Sequence, residues 1–154
     1  MKTLGPPKTK TSYNKLFLYH TEPDAPIDPF VYYDIQKLNK LKNNSVEEIF
    51  IQDLLDYSNG EKECLVLINT IMDKLKGGGS LHIQSTEPYH VCASLLSKQI
   101  DVLTFRAMIF AMGKKTIFAL GQIKSMILDI NKARISQAKF INGFQYYLLC
   151  VKNE

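Results

Sequence analysis

Between Ser58 and Gln84 the chain reads helix, glycine run, strand, and few folds accommodate that order. Ser58-Asn59-Gly60-Glu61 has the spacing of a capping box, with the Ser58 hydroxyl placed to bond the amide three residues on. The helix it opens sets Cys64, Ile68, Ile71, Met72 and Leu75 on one face. Lys74 and Lys76 suit the negative end of its dipole, and Gly77 can stop it in a left-handed conformation. Ser80-Leu81-His82-Ile83-Gln84 then reads as a strand. A helix leading through glycine into a short apolar strand marks a crossover connection, and crossovers join parallel strands.

The flanking segments extend this pattern. Residues 15–20, 30–35 and 47–52 are short runs of apolar and aromatic residues and predict three strands. Residues 21–29 hold three prolines and two aspartates and read as a stiff loop. Thr86 is placed to cap a helix running to about Gln99, and residues 102–112 predict a short second one. Leu120, Ile123, Ile127 and Ile130 stand at helical spacing after Thr116. The chain closes with strands over residues 133–140 and 144–151, and Asn142-Gly143 between them is a strong hairpin signal because both turn positions need positive φ. The order β-β-β-α-β-α-α-α-β-β gives an α/β fold: a mostly parallel sheet with a C-terminal antiparallel hairpin and helices on both faces. Pro6 and Pro7, set among lysines and threonines, make residues 1–12 a flexible arm, and residues 13–154 form a single domain.

Composition narrows the function classes. Hydrophobic residues make up 45% and charged residues 22%, which is ordinary globular chemistry and not that of a disordered chain. No apolar run is long enough to span a membrane, and the start lacks the apolar stretch of a signal peptide, so a cytoplasmic location is expected. Cys64, Cys92 and Cys150 are odd in number and widely spaced; they predict free thiols in a reducing compartment, with no metal centre. Of the 19 basic residues, 17 are Lys and 2 are Arg, a bias of AT-rich coding such as many phages and endosymbionts show. No basic stripe interleaves with aromatics, so nucleic-acid binding is not supported. There is no Gly-x-Ser-x-Gly elbow, and Gly77-Gly78-Gly79 lacks the spacing of a phosphate loop. Among the tyrosines, Tyr32-Tyr33 and Tyr146-Tyr147 are strand pairs, so alternation sends one member of each to either face.

Three stretches resemble class I S-adenosylmethionine-dependent methyltransferases, especially the small type 11 kind. Asp34-Ile35 followed by Asn44-Ser45-Val46-Glu47-Glu48-Ile49-Phe50 is similar to that family's D-(L/I) … D-N-S-V-D-E-I-Y run. Asp53-Leu54-Leu55-Asp56-Tyr57 stands where the family has H-V-L-E-H, and Leu75-Lys76-Gly77-Gly78-Gly79-Ser80-Leu81-His82-Ile83 resembles L-K-P-G-G-x-L-x-I. The closing hairpin also matches, since the family wedges its last two strands into the sheet antiparallel. The likeness covers about residues 30–152. Two departures stand beside it. The family opens on a strand and a G-x-G-x-G loop, whereas here Leu16-Phe17-Leu18 runs into Tyr19-His20-Thr21-Glu22-Pro23 without a glycine. Residues 21–29 are also too few for the crossover helix the family has there, which implies a shortened Rossmann-like domain.

The resemblance implies S-adenosylmethionine as cofactor if the chain is active, lying over the C-terminal strand edges near Tyr19, His20, Asp34, Ile35, Asp53 and Asp56. Asp34 aligns with the acidic position near the cofactor adenine; without the resemblance it reads as a loop cap. Asp53 and Asp56 share one face if their turn is helical, where two carboxylates raise each other's pKa or hold a cation. Two functions follow. One is a methyltransferase. The other is a degenerate descendant with no cofactor: a binding or structural module, phage-encoded, whose exposed sheet edge a second copy or a partner chain covers.

Overall fold

In a computed structural model, residues 14–20, 30–110 and 113–154 are described. The arm expected over residues 1–12 and the stiff loop over 21–29 lie outside them. Six strands form one sheet in the order β2-β1-β3-β4-β6-β5. They are β1 (Lys15–Tyr19), β2 (Val31–Asp34), β3 (Val46–Gln52), β4 (Leu75–Thr86), β5 (Ala133–Ile141) and β6 (Gln145–Lys152). β1 pairs parallel with β2 and β3, and β3 pairs parallel with β4. β6 lies antiparallel between β4 and β5. The helices around the sheet are α1 (Glu61–Lys74), α2 (Pro88–Leu96), α3 (Val102–Phe110) and α4 (Leu120–Ile130), with 3-10 turns at Ile35–Lys40 and Leu54–Tyr57. The α/β fold, mostly parallel with a terminal antiparallel hairpin, is the one the sequence predicts.

Strand alternation divides the sheet into two unlike faces. Leu16, Leu18, Ile49, Ile51, Leu81, Ile83, Leu148 and Cys150 are all buried on one face. They join a single core with Cys64, Ile68, Ile71 and Met72 of α1 and with Ile123, Met126 and Ile127 of α4. Tyr146 is buried in that core, and its neighbour Tyr147 points the other way, as alternation requires. The second face carries a row of rings. Centroids lie 5.1 Å apart for Phe17 and Tyr32, 5.4 Å for Phe17 and Phe50, and 6.1 Å for Phe50 and His82. His82 closes the row by hydrogen-bonding the Tyr147 hydroxyl at 2.7 Å, and burial lowers its pKa.

Several local expectations need correction. Ser58 does not cap α1. Glu63 reaches back to the Asn59 amide (3.1 Å) and its side-chain nitrogen (2.7 Å), while Ser58 is buried at the end of the preceding 3-10 turn. Gly77 does not stop the helix either. α1 ends at Lys74, and Leu75 already pairs with Val46 in the sheet. Glu48 pairs with Ser80, so residues 76–79 form a bulge opposite Glu47 alone. Within it Gly78 takes the left-handed conformation (φ 74°), and a Cβ on Gly79 would meet the Glu47 and Lys76 carbonyl oxygens at 2.9 Å. α2 is capped by Glu87, not Thr86, and ends at Leu96. The Asn142-Gly143 turn has φ 54° and 71°, as the hairpin demands.

Candidate functional site

The four parallel strands aim their C-terminal ends at one edge of the sheet, the usual place for a ligand crevice in an open α/β fold. At the end of β1 the His20 ring lies flat on Tyr57, with centroids 4.2 Å apart and planes 3° apart. At the end of β2 the Asp34 carboxylate accepts the Gln36 amide hydrogen at 2.9 Å and so caps the first 3-10 turn. Ile35 follows it into the wall of a cleft of about 380 Å³. His20 and Tyr57 form one side of this cleft; Leu38 and Leu54 add apolar surface, and Glu63 and Lys115 bring opposite charges to it.

Beyond β3 the backbone turns sharply at Asp53, whose φ of 51° is left-handed. Its amide donates to the Gln84 carbonyl of the adjacent strand at 2.9 Å, which holds the turn against β4. The second 3-10 turn then brings Asp56 beneath the strand ends, where it is fully buried. The Lys114 ammonium lies 3.2 Å from an oxygen of Asp53 and 3.2 Å from one of Asp56. The Ser85 hydroxyl stands 3.1 Å from Asp53 and 3.0 Å from Asp56, and its one hydrogen can serve only one of them at a time. Lys115 and Thr116 donate their amides to the Asp56 carbonyl at 2.8 and 3.0 Å, so the segment carrying Lys114 is fastened to this turn.

Burial raises the Asp56 carboxyl to about 6; Lys114 pulls it down and Asp53 pushes it up by a smaller amount. Asp56 Oδ1 is buried without a hydrogen-bond partner among the described residues, as is the Tyr146 hydroxyl. Burial, with the Asp56 charge second, raises the Tyr146 hydroxyl well above its ordinary value. Glu87 is the other buried acid here. It accepts the Tyr89 amide at 3.2 Å and the Leu120 amide at 3.0 Å, joining the start of α2 to the start of α4.

The expected residues therefore separate into three groups. His20 and Ile35 line the cleft. Asp53 and Asp56 do share one side of a helical turn, but with a lysine between them. Tyr19 packs near Tyr32 at 6.3 Å on the ring-bearing face, and Asp34 is occupied in capping, so neither stands in the cleft wall. Sequence reasoning passed over Lys114 and Ser85. Both are far from Asp53 along the chain, and a lysine beside another lysine gives no local sign of a buried partner. No group of three or more His, Cys, Asp or Glu able to hold a metal occurs among the described residues. No helix among them is long and apolar enough to cross a membrane.

The residues at the strand edges fit S-adenosylmethionine only in part. That ligand carries ribose hydroxyls and an ammonium, which ask for carboxylates with free lone pairs and a backbone that can be approached closely. Asp34 accepts the Gln36 amide through one oxygen and keeps the other for a ligand, whereas Asp53 and Asp56 are both tied to Lys114. The chain leaves β1 through Tyr19 and His20 where a glycine loop would permit approach.

No family model matches the chain, and no curated protein matches it in sequence. Solved structures do match in fold. A protein from Bordetella parapertussis, described as a possible exported protein, superposes with a TM-score of 0.58 at 13% identity, over 81% of this chain and 45% of that one. A SAM-dependent methyltransferase from Methanosarcina mazei gives a TM-score of 0.54 at 14% identity, over 80% of this chain and 66% of that one. An S-adenosylmethionine-dependent methyltransferase from Mesorhizobium loti gives 0.54 at 11% identity, over 83% and 72%. The chain thus spans less than half of the first and about two thirds of the second. At such identities the likeness is one of fold: this chain has the Rossmann-like fold of S-adenosylmethionine-dependent methyltransferases.

Proposed function

We propose that this chain is a methyltransferase-fold binding module that does not itself transfer methyl groups. One observation carries the reading: two of the three carboxylates at the C-terminal strand edge, Asp53 and Asp56, are already held by the Lys114 ammonium within the chain. A cofactor would have to displace a buried ammonium held by two acids, which is costly. The cleft beside them remains open, and its stacked His20–Tyr57 wall suits a small planar ligand. The lysine-rich composition supports a phage-encoded module in host cytoplasm, and β2 and β5, as the outer strands, offer edges that a partner chain can extend.

Titration calorimetry with S-adenosylmethionine tests this. No binding is expected up to millimolar cofactor. A second reading, a working S-adenosylmethionine-dependent enzyme, draws on the fold likeness and on a cleft whose volume of about 380 Å³ is that of a small-ligand site. Saturable binding that His20→Ala abolishes, together with methyl transfer to any acceptor, would establish that reading and overturn the first.

A further inference from the structure

Asparagine precedes glycine at two places in the sequence, Asn59-Gly60 and Asn142-Gly143. Such a pair is chemically labile, because glycine has no Cβ to keep its amide nitrogen from the asparagine side chain. By sequence the two sites are equals; the fold treats them differently. Both asparagines are exposed, and neither glycine amide donates a hydrogen bond among the described residues. What separates them is the hold on each carboxamide. Asn59 Nδ2 donates to Glu63 Oε2 at 2.7 Å, and the Asn59 backbone amide donates to the same oxygen at 3.1 Å. Those bonds, the backbone one first, keep the Glu63 carboxyl below its ordinary pKa, so the acceptor is a charged carboxylate. Glu63 itself is fixed in the first turn of α1. At the other site Asn142 Nδ2 lies 3.4 Å from Gln145 Oε1, a long contact, and that oxygen already accepts the Gln84 side chain at 3.0 Å.

We propose that Asn142 is a site of spontaneous deamidation and that Glu63 guards Asn59 against the same reaction. The step needs only water. The Gly143 amide nitrogen gives its proton to hydroxide and attacks Asn142 Cγ; a C–N bond forms there, and the side-chain nitrogen leaves as ammonia. Water then opens the five-membered imide at either carbonyl, giving aspartate or isoaspartate. The net change is carboxamide plus water to carboxylate plus ammonium, with no oxidant or reductant. Attack requires the carboxamide to swing over the next peptide nitrogen. Asn142 does so by releasing one long contact at the tip of the β5–β6 hairpin. Asn59 must first release two bonds to Glu63, whose charge also opposes the anionic nitrogen forming at Gly60. The product matters at the strand edge. Aspartate tolerates the left-handed φ of 54° at residue 142, as asparagine does. Isoaspartate runs the backbone through one extra carbon and cannot keep the same turn. That turn is tied to its surroundings, since the Glu87 amide donates to the Phe144 carbonyl at 2.7 Å and the Glu87 carboxylate joins α2 to α4.

Incubating the full chain at mildly alkaline pH and mapping its peptides by mass spectrometry tests the proposal. A deamidated peptide gains one mass unit, and chromatography separates its isoaspartate and aspartate forms. In the folded wild type Asn142 should convert at least tenfold faster than Asn59. In urea, where the fold is gone, the two rates should converge. Glu63→Ala, at an exposed position, should raise the Asn59 rate at least fivefold while a thermal melt shows the variant folded. Glu63→Gln, which removes the charge and keeps an acceptor, should fall between wild type and Glu63→Ala. Asn142→Ser should abolish the fast conversion. The proposal is overturned if Asn59 converts as fast as Asn142 in the folded wild type, or if Asn142 converts in urea but not in the folded chain. It is overturned equally if Asn59 stays slow in both Glu63 variants.

Discussion

At the scale of single residues, the cluster of Lys114 with Asp53, Asp56 and Ser85 is a buried ion network, and its energetics are asymmetric. Removing Lys114 leaves the fully buried Asp56 carboxylate without its counter-charge. Lys114→Met should therefore cost about 3–5 kcal/mol, and adding Asp56→Asn should restore much of that loss, which urea midpoints of the single and double variants will show. Asp56 also sets a pH dependence. Burial raises its carboxyl from 3.8 to about 6, so between these values the folded protein holds a proton that the unfolded chain has released. The contribution is complete below pH 4 and is lost as pH rises through 6. His82 acts in the opposite sense, because burial lowers its pKa from 6.5 and the fold weakens as pH falls below that value. The two slopes overlap, so a wild-type profile alone does not separate them. The stability difference between wild type and Asp56→Asn should shrink by about 2 kcal/mol from pH 4.5 to pH 7.5, and the same difference in a His82→Gln background should do likewise.

At the scale of elements, the glycine run is where sequence and structure part most usefully. The motif correctly announces that a helix gives way to a parallel strand. Which glycine does what depends on β3, a neighbour the motif does not contain. Because Leu75 already pairs with Val46, the run is absorbed as a bulge, and Gly79 is required by the carbonyl oxygens of Glu47 and Lys76 around it. Gly79→Ala should cost roughly 1–3 kcal/mol, since both contacts are backbone atoms that cannot swing aside. Gly121 in α4 is the internal control: a Cβ there meets nothing within 4 Å. Gly121→Ala should stabilise by about 0.5–1 kcal/mol, and thermal melts of the two variants should move in opposite directions. The caps follow the same logic. Ser58 is buried and its carbonyl accepts the Thr116 hydroxyl at 3.0 Å, so its side chain makes no cap to α1, and Glu63 instead ties the Asn59 amide back to the first turn.

At the scale of the whole molecule, periodicity carried the fold, because alternation and helical spacing are local and the core follows them: Ile68, Ile71, Ile123 and Ile127 are buried where the pattern places them. The site was legible only in part. Asp53 and Asp56 stand three apart and can be paired on paper, but Lys114 reaches them from the segment between α3 and α4, and that distance in sequence leaves no periodic trace. Strand order carries a further consequence. β3 and β4 lie inside the sheet with a paired neighbour on each side and the core against one face, whereas β2 is a four-residue outer strand paired only with β1. Opening β2 disrupts one short ladder, while opening β3 breaks two and exposes Ile49 and Ile51. Local opening at the edge should therefore require much less free energy than global unfolding, and central opening nearly all of it. Native-state hydrogen exchange read by mass spectrometry should show β3 and β4 exchanging at the global rate and β2 at least tenfold faster. Equal protection of β2 and β3 would mean that something further seals that edge, and a second copy at high concentration would be recognised by slower exchange at β2 as protein is added.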